Sequence, residues 1–128
     1  MYDLEHRLLE SAARIIRLVE QLPKTRAGNH AAGQLLRCGT SPLPNHGEAQ
    51  AAESRDDFEH KMSICLKELR ETRRWLRLVE RVPLLADLTE CAALIRETEE
   101  LIRIFWTSIN TSHKRGATTR VVPRRTER

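Results

Sequence analysis

The chain has 128 residues, 40% of them apolar, 31% charged and only 4% aromatic, with five Gly and five Pro. That is enough for one hydrophobic core and too little for two, and the dominance of Leu, Ala, Glu and Arg excludes a sheet fold. The net charge of +4 is uneven: residues 1–110 hold 16 basic and 17 acidic residues (16 − 17 = −1), whereas residues 111–128 hold six basic residues and one acidic residue (6 − 1 = +5).

The opening MYDLEHRLLE is charged, without a basic stretch leading into an apolar one, and no apolar run approaches the roughly 18 residues of a membrane span. A cytoplasmic chain with no membrane partner is expected. Leu4, Leu8, Ile15, Val19 and Leu22 recur at helical spacings, with Leu9, Ile16 and Leu18 widening the stripe. They predict a helix over about 2–22, stopped by Pro23.

A second helix is expected over about 29–53. It is interrupted by R-C-G-T-S-P-L-P-N-H-G, where Pro42 and Pro44 each remove a backbone donor at a cost of about 3 kcal/mol in a helix interior. Ala31, Ala32, Leu35 and Leu36 before them and Ala49, Ala51 and Ala52 after them are helix formers. The segment reads as one helix kinked near 39–45 or as two short helices. Gly39, Thr40 and Ser41 would let a neighbouring helix approach, and either proline should be replaceable by Ala with the fold kept.

Ser54 begins S-R-D-D, a capping-box-like start with Asp57 in place of the usual Glu or Gln. From there Phe58, Met62, Cys65, Leu69, Leu76 and Val79 form one face until Pro83. The fourth helix, about 85–110, carries Leu84, Leu88, Cys91, Ile95, Thr98, Ile102, Phe105 and Ile109 at alternating spacings of four and three. Short connectors near 23–28 and 81–85 join these into an all-α, antiparallel up-and-down four-helix bundle over 1–110. Residues 111–128 have no helical period and are expected to be a disordered basic tail.

From Leu36 to Leu76 the run L-R-C-G-T-S-x-x-x-N-x-x-E-A-x-x-A-E-S-x-x-D-F-x-x-K-x-x-I-x-x-K-E-x-x-E-T-x-x-W-L resembles the four-helix-bundle proteins first noticed as products of intervening sequences in 23S ribosomal RNA genes. Arg37, Gly39, Thr40, Ser41, Asn45, Glu48, Asp57, Phe58, Lys61, Glu68, Glu71 and Leu76 carry the likeness. It covers about a third of the chain, and Ser41-Pro42-Leu43-Pro44-Asn45 stands where the family commonly reads S-I-G-A-N or S-I-P-S-N. The resemblance implies a cytosolic bacterial bundle that assembles as a five-fold ring, with no known enzymatic activity and no settled function. A related branch, the accessory proteins of diversity-generating retroelements, is basic and works with a reverse transcriptase and RNA.

No catalytic constellation is expected. Asp3-Leu4-Glu5-His6 and Asp57-Phe58-Glu59-His60 repeat a pattern that invites comparison with di-iron bundles. On a helical wheel, however, His6 and His60 lie about 160° from Leu8 and Leu76, so both rings point away from the core. His30, His46 and His113 have no partner that spacing supplies. Cys38, Cys65 and Cys91 read as buried free thiols, and neither metal nor cofactor is expected.

Two surfaces of the third helix carry the functional reading. Lys67, Arg70, Arg74, Arg77 and Arg81 fall within an arc of about 80°. Facing the Glu-rich fourth helix, they suit salt bridges between helices or subunits, or a stripe that tracks phosphates. Together with Lys114, Arg115, Arg120, Arg124 and Arg125 of the tail they are the candidate RNA or DNA contacts. Ile64, Trp75 and Leu78 form a second apolar arc suited to a subunit contact, with Trp75 as its anchor. A homo-oligomer, by the resemblance a pentamer, is expected, with a protein partner as a further expectation. Two function classes follow: a non-enzymatic ring-forming scaffold or adaptor, and a nucleic-acid-binding accessory protein.

Overall fold

Asp3 starts the first helix. Its carboxylate accepts the His6 N–H at 3.0 Å, closing the first turn of α1 (Leu4–Val19), whose opposite end is marked by Glu20 and a tight turn to Leu22. In the computed structural model, which describes residues 3–127 and the side chains of residues 3–117, α1 is followed by α2 (Arg26–Thr40), α3 (Pro42–Gln50), α4 (Arg55–Arg81) and α5 (Thr89–Glu127). No strand occurs among the described residues. The expected Ser54 cap operates, its hydroxyl accepting the Asp57 N–H at 3.0 Å, and Thr25, which the sequence reading did not single out, accepts the Gly28 N–H.

The interruption in the second rod falls at a single residue. Ser41 ends α2 and begins α3 with helical dihedrals, so α2 and α3 form one rod broken at the prolines. Pro42 and Pro44 thereby occupy the first turn of α3, where backbone N–H groups have no intrahelical acceptor and the interior penalty is not incurred. Asn45 staples the joint, its Nδ2 donating to the Ser41 carbonyl at 3.0 Å and to Ser41 Oγ at 2.9 Å. The prolines are not equivalent. Pro42 is fully buried and its carbonyl accepts the Cys65 thiol at 3.6 Å, whereas Pro44 is exposed. We expect Pro44→Ala to shift stability by less than about 0.5 kcal/mol and Pro42→Ala to cost about 1–2 kcal/mol through lost packing. Urea midpoints of the two variants check the difference.

Around the bundle the order is α1, α2–α3, α4, α5, with α1 diagonal to α4 and α2 diagonal to α5. The core has two halves. Ile15, Leu18, Leu35, Leu76, Val79, Cys91 and Leu94 fill one end; Leu8, Met62, Cys65, Leu69, Leu101 and Phe105 fill the other. The buried polar residues Thr72 and Thr98 lie between the two sets along their helices, and Thr98 Oγ1 has no hydrogen-bond partner. Gly39 lets α2 sit directly on α1: a Cβ there would lie 2.7 Å from Ile15 Cγ2.

Three expectations are corrected. Leu9 and Ile16 do not widen the core stripe; they are 50% and 45% exposed, because each lies more than a quarter turn from buried Leu8 and Ile15. The last helix begins at Thr89, leaving Leu84, Leu85 and Leu88 in the connector, still packed on the core. It also does not end near 110. The Ser112 carbonyl accepts from Arg55 at 3.1 Å, Ser112 Oγ donates to Glu59 at 2.9 Å, and Gly116 is buried against Arg55, so α5 continues along α4. No helix of the described residues is long and apolar enough to cross a membrane.

Candidate functional site

The residues of the R-C-G-T-S to T-x-x-W-L run turn out to be the joints of the bundle. Arg37 on α2 reaches Glu68 at 3.4 Å and pairs with Glu71, both on α4. Lys61 on α4 pairs with Glu48 on α3 at 2.8 Å. Thr40 returns its hydroxyl to the Leu36 carbonyl at 2.6 Å. Phe58 packs on one half of the core and Leu76 lies inside the other. Each half of the broken rod is thus tied to α4 by its own ion pair.

The acidic fourth rod does not face the basic stripe. Its carboxylates turn to α1 instead: Glu97 and Glu100 hold Arg7 at 2.7 and 2.9 Å, and Glu90 holds Arg14 at 2.8 Å. The hydrogen bond from Arg14 lowers the Glu90 pKa, and the same bond raises that of Arg14. Lys67, Arg70, Arg74, Arg77 and Arg81 have no carboxylate partner among the described residues, so the expected bridging within the subunit is not found. Arg74, Arg77 and Arg81 surround Leu78, with Glu80, at an open depression of about 620 Å³. Lys114 and Arg115 are exposed on α5, while the side chains of Arg120, Arg124 and Arg125 lie outside the described residues.

The expected apolar arc of Ile64, Trp75 and Leu78 is graded in exposure. Leu78 is 48% exposed, Ile64 is half-buried, and Trp75 packs partly on the core with its ring edge-to-face on His30 of α2, centroids 5.5 Å apart. Trp75 is therefore shared between its own subunit and the surface. The sequence reading missed Leu36, Val82 and Trp106, which are 44%, 57% and 53% exposed. For Leu9 and Ile16 the signal was available, since their spacing of seven sets a row of its own beside the Leu8–Ile15 row.

Among the described residues the interior holds three thiols and one imidazole. Cys38, Cys65 and Cys91 are free and buried, and burial pushes their thiols up, to about 12 for Cys65 and about 11 for Cys91. His46 is buried edge-to-face on Phe105, its Nδ1 unpartnered and its pKa lowered by desolvation. His6 and His60 are exposed, as their wheel positions predict. No group of three metal-ligating side chains occurs among the described residues.

A crystal structure of a protein with unknown function from the S23 ribosomal protein family of Bacteroides thetaiotaomicron is similar to this fold. Its TM-score is 0.77 at 32% identity, over 84% of this chain and 98% of that one. No curated protein matches the chain. The family described as 23S rRNA-intervening sequence protein matches residues 4–106, which spans all four rods including the Arg37, Glu48, Lys61 and Glu68 joints. The chain belongs to the 23S rRNA-intervening sequence protein family.

Proposed function

We propose that the protein is a non-enzymatic scaffold or adaptor that works as a homo-oligomer, five subunits closing a ring as the family resemblance implies. One observation carries this reading: a subunit whose core is already complete leaves Leu9, Ile16, Leu36, Leu78, Val82 and Trp106 between 44% and 57% exposed. Leu9 with Ile16, and Leu78 with Val82, recur at helical spacing on one face each, and contiguous exposed apolar groups mark interaction surfaces. The chemistry points the same way, since the buried thiols are held protonated. Free cysteines suit a reducing compartment, and we place the protein in the cytoplasm. Light scattering at micromolar concentration tests the reading. A mass several times the 14.8 kDa subunit is expected, and a monomer would sink it. Ile64, Trp75 and Leu78 are the interface candidates on α4.

A second reading has its own observation: five cations on α4 without partners, followed by Lys114 and Arg115 on α5. These suit weak, salt-sensitive and sequence-independent binding of RNA or DNA by an accessory protein. Reversing Arg70 and Arg77 to Glu should weaken binding to a generic single strand and flatten its salt dependence. An unchanged salt slope would remove α4 from that reading.

A further inference from the structure

The exposed apolar residues fall on two unlike faces. On α1, Leu9 and Ile16 lie about 20° apart around the helix and about 160° from Arg7 and Arg14, which turn to α5. They therefore sit on the α2–α3 side. On α2, Leu36 lies about 100° to one side of buried Leu35, while Arg37, which turns to α4, lies about 160° to the other. Leu36 therefore borders α1. Leu9, Ile16 and Leu36 flank one groove, with Gly33 and Gly47 open to space beside it. Exposed Glu5 and Glu20 cap the α1 row at either end, and Glu10 and Arg17 lie further round the same helix.

The second face is on α4. Leu78 lies about 160° from buried Leu76, with Val82 one turn further on, beside a row of cations at seven-residue spacing, Lys67, Arg74 and Arg81. Glu5 and Glu20 are about 22 Å apart along α1, and Lys67 and Arg81 are about 21 Å apart along α4. Among the described residues none of these five charges has an opposite partner within the subunit.

We infer that the occupant of the first face is the second face of another copy of this chain, so that α1 of one subunit docks head-to-tail on α4 of the next. A two-fold contact would set each face against itself, Glu on Glu or Arg on Arg, which disfavours it. The heterologous contact sets carboxylates on cations of matching span and encloses Leu9 and Ile16 with Leu78. Repeated around an axis it closes a ring. This inference rests on the oligomeric reading above and adds which surfaces meet.

The test uses charge reversal at exposed positions: one variant carries Glu5→Lys and Glu20→Lys, the other Arg74→Glu and Arg81→Glu. Each is expected to self-associate at least tenfold more weakly than wild type by light scattering, and an equimolar mixture is expected to associate again in alternating order, as open assemblies or even-numbered rings because five alternating subunits cannot close, since each variant supplies the charge the other lacks. Retained association in either variant, or a mixture that stays monomeric, overturns the pairing while leaving the oligomer standing. A monomeric wild type overturns both. The single variants Glu20→Lys and Arg74→Glu carry the same expectation if a double variant fails to fold.

Discussion

Truncating Phe105 to alanine is expected to cost about 4 kcal/mol, among the largest losses available to a single substitution in a bundle of this size. The ring is fully buried in the half of the core shared by Leu8, Met62, Leu69 and Leu101. It is also the edge-to-face partner of His46, the centroids 6.0 Å apart, and so joins α5 to α3 across the bundle. Nothing on the surface can collapse into the space, because the flanking side chains are themselves packed. The substitution should also change the pH response. His46 has its pKa lowered by burial; above about pH 6.5 it is neutral in both the folded and unfolded chains. Below that value the unfolded chain takes up the proton first, so stability falls with acid until the folded pKa is passed. Removing Phe105 wets His46 and should shallow this slope. Urea midpoints of wild type and variant at pH 7.5 and 5.5 measure both effects, and parallel pH slopes would show that Phe105 does not keep His46 dry.

Alanine at position 28 is expected to cost about 3 kcal/mol, more than alanine at any other described glycine. A Cβ on Gly28 would fall on the Pro23 carbonyl oxygen, with the carbonyl carbon 2.9 Å away, and a backbone group cannot turn aside. The α1–α2 connector would have to move, carrying the Thr25 cap with it. Gly39 is the milder case, since its Cβ would meet the Ile15 side chain, and about 1–3 kcal/mol is expected. Gly33 and Gly47 have nothing within 4 Å. Alanine there should stabilise the subunit by about 0.5–1 kcal/mol through helix propensity alone. Thermal or urea unfolding of the four variants should therefore order them 28, 39, then 33 and 47. A Gly28→Ala variant as stable as wild type would mean that the connector has freedom the packing does not suggest.

The bundle was legible because its signals are local and redundant. The start of the third rod was written in Ser54, and its length in Phe58, Met62, Cys65, Leu69, Leu76 and Val79, which recur at helical spacing and end before Pro83. The break was legible in position from Pro42 and Pro44, but as a kink near 39–45 or a pair of short helices; that the prolines occupy the first turn of α3 was not. The continuation of α5 was not, because Ser112 and Gly116 keep its helical spacing with small residues in place of apolar ones, and an apolar-periodicity argument does not register them. Neighbour identity was also hidden. Charge signs paired the basic third rod with the acidic fourth, yet which carboxylate meets which guanidinium depends on the rotation of each helix. That rotation turns Glu97 and Glu90 to Arg7 and Arg14. For the same reason Trp75 reads as off-core on its own helix while the adjacent α2 meets it through His30.

The three thiols give the molecule a set of internal clocks. Cys38, Cys65 and Cys91 sit on α2, α4 and α5, each fully buried and held protonated, so an alkylating reagent reacts with one only while its helix is transiently open. Because the three positions belong to different rods and fall in or between both halves of the core, their labelling rates separate a local opening from global unfolding. Equal rates mean that the bundle opens as a unit. A faster Cys38 would mean that the proline-broken rod lifts away first, on its own timescale.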